Sequence, residues 1–113
     1  MDMIKVDTAE GPVVKDLETM VEFASDGIVS KTFLERPRVK MVMFSMANGQ
    51  SLSEHTSSMP AAIHVLKGKG VVTLGTERHD AGPGTWIYMP AEQLHAVDAV
   101  EDLVFLLTLF RRE

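Results

Sequence analysis

The strongest constraint on this chain is its punctuation. From about residue 38 to residue 110, no apolar segment runs longer than eight residues before a turn signal cuts it. Asn48-Gly49, Gly68-Lys69-Gly70, Gly75-Thr76, Gly82-Pro83-Gly84 and Pro90 fall at short, regular intervals. Asn-Gly pairs and glycine turns supply the positive φ that tight reversals need, and proline stops a strand. Segments this short suit strands and leave little room for helices. The stretches between turns are rich in Val, Ile, Thr and aromatics, as in VKMVMFSM (39–46), AAIHVLK (61–67), WIYM (86–89) and LVFLLTLF (103–110). The pattern predicts eight to ten short strands in an antiparallel sandwich or barrel, not alternating βαβ units.

The segment 1–37 is different. Residues 1–16 have no clear period. Leu17 to Phe23 has roughly helical spacing with Asp16 as a candidate cap, so a helical turn or two is expected there. Ile28 to Leu34 suits an edge strand. Along Val39 to Met46 both faces are largely apolar: Val39, Met41, Met43 and Ser45 on one, Lys40, Val42, Phe44 and Met46 on the other. One face must look into a core, and the other needs cover from a second sheet, the N-terminal segment or another subunit.

At 113 residues the chain suits one domain that needs neither disulfide nor structural metal. A net charge of -5 and eleven scattered Lys and Arg argue against a nucleic-acid partner. No cysteine is present, which excludes thiolate metal sites and cysteine nucleophiles. The first ten residues lack the pattern of a signal peptide, and no apolar run approaches a bilayer span, so no membrane partner and a cytoplasmic location are expected.

Two stretches carry the candidate chemistry: Gly49 to Gly68, containing His55, and Gly84 to Ala99, containing His95. Together they resemble the cupins, RmlC-like jelly-roll barrels of the conserved-barrel type. The first family motif is G-x5-H-x-H-x3-E-x6-G, and Gly49, His55 and Gly68 match it. Ser57 stands at the second histidine position and Ala61 at the glutamate position. The second motif is G-x5-P-x-G-x2-H-x3-N. Gly84, Pro90 and His95 match, while Glu92 replaces the glycine and Ala99 the asparagine. The resemblance implies an all-β fold, an antiparallel double-stranded β-helix or jelly-roll. It would have a core barrel at about 38–110, a short irregular or helical N-terminal segment packed on the barrel or a partner subunit, and frequent homodimerisation through sheet faces or exchanged strands.

In such barrels three histidines and a glutamate hold one divalent ion, commonly Zn, Ni, Fe or Mn. Here only His55 and His95 occupy ligand positions, and His64 is a possible third. Strand alternation from position 61 turns His64 outward unless a bulge intervenes. Glu92, on the loop before His95, could also reach inward. Two functional readings follow. In one, the chain is a small-molecule-binding protein with a degenerate metal site. Its pocket is lined by His55, Ser57, Ile63, His95 and Met43 and takes a small, partly apolar ligand. In the other it is a metal-dependent dioxygenase or isomerase using His55 and His95 as ligands. Trp86 and Tyr88 share a strand face and are expected in a core or an interface.

Overall fold

The computed structural model describes residues 10–112. The expectations for residues 1–9 lie outside the described residues. Nine antiparallel strands form two sheets: β1 (Ile28–Arg36), β2 (Val39–Met46), β3 (Ser51–His55), β4 (Ala61–Lys67), β5 (Gly70–Leu74), β6 (Glu77–Ala81), β7 (Trp86–Met89), β8 (His95–Ala99) and β9 (Leu103–Phe110). The first sheet has the order β1-β2-β9-β4-β7 and the second β3-β8-β5-β6. The fold is the antiparallel two-sheet architecture that the punctuation predicts and the all-β jelly-roll that the motif resemblance implies. Among the described residues no helix is long and apolar enough to cross a membrane.

The main core lies between the sheets. Met46, Ile63, Val65, Val72, Met89, Val97, Leu103 and Phe105 are buried together, with Phe44 and Leu107 packed against them. Phe44 of β2 stacks on its cross-strand neighbour Phe105, with centroids 4.9 Å apart and planes within 7°. Aromatic pairing of this kind adds to simple area burial.

The outer face of the five-stranded sheet has a second core. Met20, Phe33, Met43, Val104 and Leu106 are buried there, joined by Leu17, Val21, Leu34, Met41 and Leu66. The N-terminal segment supplies the cover that the second face of β2 requires. Its helical portion is a single 3-10 turn, Leu17–Met20, capped by Asp16, whose side chain accepts from the Glu18 N–H at 3.2 Å. The Lys67–Glu18 and Lys31–Glu22 ion pairs, at 2.6 and 2.8 Å, pin its edges. A bulge in β1 between Thr32 and Leu34 breaks the alternation, so Phe33 and Leu34 both pack into this outer core.

Connections fix how the sheets face each other. The turn 47–50 takes β2 directly into β3, which places β3 at the β1–β2 side of the barrel. The turn 82–85 takes β6 into β7 at the opposite side. β8 ends at Ala99, just before β9 begins beside Met46, so His95 at the start of β8 and its partner His55 lie towards the other end of the barrel, the end of Lys40. The rim at that end of the first sheet is polar. Glu35 pairs with Lys40 across β1–β2, and Arg111 donates from its guanidinium to the Glu35 carboxylate at 2.7 Å.

Gly68 makes the β4–β5 turn possible. Its φ is +82°, and a Cβ there would overlap the Asp102 carbonyl oxygen. Gly68→Ala should lower unfolding free energy by about 2–4 kcal/mol, from the left-handed conformation together with the overlap; urea unfolding of the variant measures it, and a change under about 0.5 kcal/mol would contradict the geometry.

The Arg111 hydrogen bond holds the Glu35 carboxyl below the ordinary carboxylate range, reinforced by the Arg111 and Lys40 charges and opposed by partial desolvation. A lowered folded pKa means the unfolded chain binds the extra proton. The stability is therefore fully present above the ordinary range and is lost as pH falls through the lowered value. The melting-temperature difference between wild type and Glu35→Gln should be greatest near neutrality and shrink steadily on acidification.

Candidate functional site

His55 and His95 meet. Their ring centroids lie 4.2 Å apart with planes tilted by 59°, and they face each other directly across the β3–β8 pairing. Strict alternation along β3 would not produce this contact. With Leu52 on the core face, the next inward position would be Glu54. A bulge between Leu52 and His55 opposes three steps of β3 to two of β8, and it turns His55 onto the face of Leu52 and Val97.

Each ring is fixed by the same device. Nδ1 of His55 lies 2.6 Å from the Ser53 carbonyl oxygen, and Nδ1 of His95 lies 2.9 Å from that of Gln93. In both cases the carbonyl belongs to the residue two before the histidine. A carbonyl only accepts, so each Nδ1 must carry the hydrogen. In the neutral ring this leaves the lone pair on Nε2. Both side chains are thus oriented with an Nε2 acceptor left for a third party. His95 is buried, at 7% exposure, whereas His55 is exposed at the edge strand.

The loops that carry them are tied together. The Glu92 N–H donates to the Ser57 carbonyl at 2.7 Å. Glu92 occupies the motif position usual for glycine and holds φ at +68°. That left-handed conformation costs a non-glycine residue roughly 1–2 kcal/mol, and the Ser57 contact helps keep it. The Ser57 hydroxyl accepts from the Met59 N–H at 3.1 Å, closing a local turn.

The other expected lining residues divide. Ile63 is buried in the main core beside Ile87 and Leu107, at the wall of the barrel. Met43 is placed elsewhere: it packs in the outer core with Met20, Phe33, Val104 and Leu106, because positions 39, 41, 43 and 45 of β2 face the N-terminal segment. It is therefore removed from the pocket set, and Val42 and Phe44 take the inward positions beside it. His64 is exposed and opposes Trp86 and Leu106 on the outer face of the sheet, as alternation predicts. It cannot serve as a third ligand to a group held by His55 and His95. Among the described residues no group of three or more His, Asp or Glu is placed to hold a metal ion. Two imidazoles with Ala61 and Ser57 beside them do not by themselves fit a resident divalent ion, which takes three or more protein donors.

Lys40 sits by register on the inner face of β2, between Glu35 and Leu109, in the row that continues to Ala61 and Met89. It is a lone cation on a face otherwise made of Val42, Phe44 and Met46.

No curated protein matches the chain. Among solved structures it is similar to a conserved protein of unknown function from Streptococcus pyogenes, at 31% identity over 100% of this chain and 97% of that one, with a TM-score of 0.81. It is also similar to a cupin superfamily protein from Desulfitobacterium hafniense, at 21% identity over 96% and 99% of the two chains and a TM-score of 0.82. KdgF from Halomonas sp. shares the fold at 22% identity, covering 81% and 87%, with a TM-score of 0.72. The family described as Cupin domain matches residues 42–109, which spans both histidines, and the chain belongs to that family.

Proposed function

We propose that this cupin is a small-molecule-binding protein rather than one built around a resident metal. The observation that carries this reading is the histidine pair itself: two converging imidazoles whose Nδ1 atoms are spent on backbone carbonyls, leaving an Nε2 acceptor on each neutral ring, on the sheet face where Leu52 and Val97 join the apolar core. A few oriented polar atoms against an apolar wall suit a small, partly apolar ligand. His55, Ser57, Ile63 and His95 remain the proposed pocket residues.

The competing reading is a metal-dependent dioxygenase or isomerase with His55 and His95 as ligands and a further donor from solvent or substrate. Elemental analysis of untagged protein, loaded in turn with Zn, Ni, Fe or Mn and desalted, separates the two. We expect well under one ion per chain. A stoichiometric ion, lost in both His55→Ala and His95→Ala, would establish the metal site instead.

The partner reading concerns the outer face of the five-stranded sheet. Beyond the N-terminal cover, Trp86, Tyr88 and Phe110 remain 61%, 50% and 40% exposed and lie side by side, with centroids 6.5 Å apart for Trp86–Tyr88 and 6.3 Å for Tyr88–Phe110. The residues interleaved with them, Ala62, His64 and Thr108, include no carboxylate, lysine or arginine. On a chain of net charge -5, this is a face where two copies can meet without like-charge repulsion. We infer a homodimer through it. Light scattering should give twice the 12.5 kDa chain mass, falling to one chain in the Trp86→Glu, Tyr88→Glu double variant; a monomeric wild type at all concentrations would overturn this.

A further inference from the structure

The turn that joins β2 to β3 holds the chain's only asparagine, Asn48, and Gly49 follows it. Asn48 is exposed, and among the described residues its side-chain amide has no hydrogen-bond partner. Gly49 holds φ at +88° and has nothing within 4 Å of where a Cβ would stand. An Asn-Gly pair contains both partners of a condensation. The glycine nitrogen, with no side chain beside it to hinder approach, attacks the carbonyl carbon of the asparagine side chain. A bond forms between that nitrogen and Cγ, the Cγ–Nδ2 bond breaks, and the proton of the Gly49 N–H leaves with ammonia. The five-membered succinimide then takes up one water from solvent and opens to aspartate or isoaspartate.

The backbone groups that this reaction must move are tied down. The Gly49 N–H, which must give up its proton, donates to the Ala99 carbonyl at 2.9 Å, and the Ala99 N–H returns a bond to the Gln50 carbonyl at 2.9 Å. The Gln50 N–H closes the turn on the Ala47 carbonyl at 3.0 Å. From the far end of the chain, the Asp102 carboxylate accepts from the Asn48 N–H at 2.8 Å. A charged acceptor makes this one of the stronger hydrogen bonds. An amide held in this way reacts only after local opening frees it, as in hydrogen exchange.

We propose that Asn48 is a deamidation site that the fold keeps shut. The 47–50 turn, clamped by Ala99 and Asp102, suppresses succinimide formation, and conversion proceeds when the turn opens. The product disturbs its surroundings. It sets a new carboxylate at position 48 beside that of Asp102, and isoaspartate also lengthens the main chain by one carbon inside a turn closed by these bonds. The same bonds anchor the start of β3, an edge strand whose neighbour in the sheet is β8. β3 ends at His55, opposite His95. Conversion at the turn therefore loosens the strand that carries one of the two imidazoles.

The test follows the full chain at neutral pH, folded in buffer and unfolded in urea, by ammonia release and by mapping of the peptide that contains Asn48. Mapping separates it from Asp26-Gly27, which forms the same ring only by losing water. The folded chain should convert at least about tenfold more slowly than the unfolded one. Asp102→Ala leaves unchanged the backbone that Gly68 packs against. It should raise the folded rate about threefold or more and leave the unfolded rate as it was. Asp102→Asn keeps an acceptor oxygen and should stay near wild type. If Asp102→Ala does not fold, the two wild-type rates decide alone. Equal rates in buffer and urea overturn the proposal, and an unaltered rate in folded Asp102→Ala overturns the part given to Asp102. In converted wild type the β3 amides should exchange faster while those of β9 stay protected; unchanged β3 protection overturns the link to His55.

Discussion

Everything in this protein is hung on a strand whose first four residues, Leu103 to Leu106, are buried on both faces. β9 pairs with β2 along all eight of its residues and with β4 along most of them. Its inward residues, Leu103 and Phe105, close the barrel, and its outward residues, Val104 and Leu106, form the floor of the second core. An apolar strand of this kind is stable only if both faces are covered. The covering of the outer face by Leu17, Met20 and Val21 is therefore a condition of the barrel and not an ornament on it. That cover stops short of Trp86, Tyr88 and Phe110, so the remainder of the same face is left to another partner.

Alternation along strands is what makes such a chain legible, and the bulges are where legibility ends. The nine strands, the 3-10 turn capped by Asp16 and the outward His64 all follow from turn residues and period-two patterning. Three features do not. Phe33 and Leu34 share a face because of a bulge in β1. Met43, expected in the pocket, packs in the outer core, because both faces of β2 are apolar and apolarity alone does not say which one meets the N-terminal segment. The contact between His55 and His95 depends on the extra residue in β3, because an unbroken strand would have put Glu54 in its place. Motif resemblance located the pair, whereas periodicity would have missed it. The Glu35–Arg111 link joins residues 76 apart in the chain and had no local signal at all.

Holding both Nδ1 atoms on backbone carbonyls has a consequence for what the pair can recognise. The arrangement spends no side chain on orienting either ring, so the orientation survives loss of the neighbouring ligand positions. Ser57 illustrates this. Its hydroxyl closes a turn on the Met59 N–H and its carbonyl receives Glu92, so it braces the two loops against each other rather than contributing a donor atom. The strained Glu92 backbone belongs to the same brace.

Substitution at one metal-ligand position would leave a weakened ion site. Here Ala61 and Ser57 stand at two of the four family ligand positions, so only His55 and His95 remain, and a resident divalent ion takes three or more protein donors. The imidazoles nonetheless stay fixed through Nδ1, which in the neutral rings leaves an acceptor on Nε2 of each. A guest held by such a pair must therefore bring hydrogen-bond donors of its own.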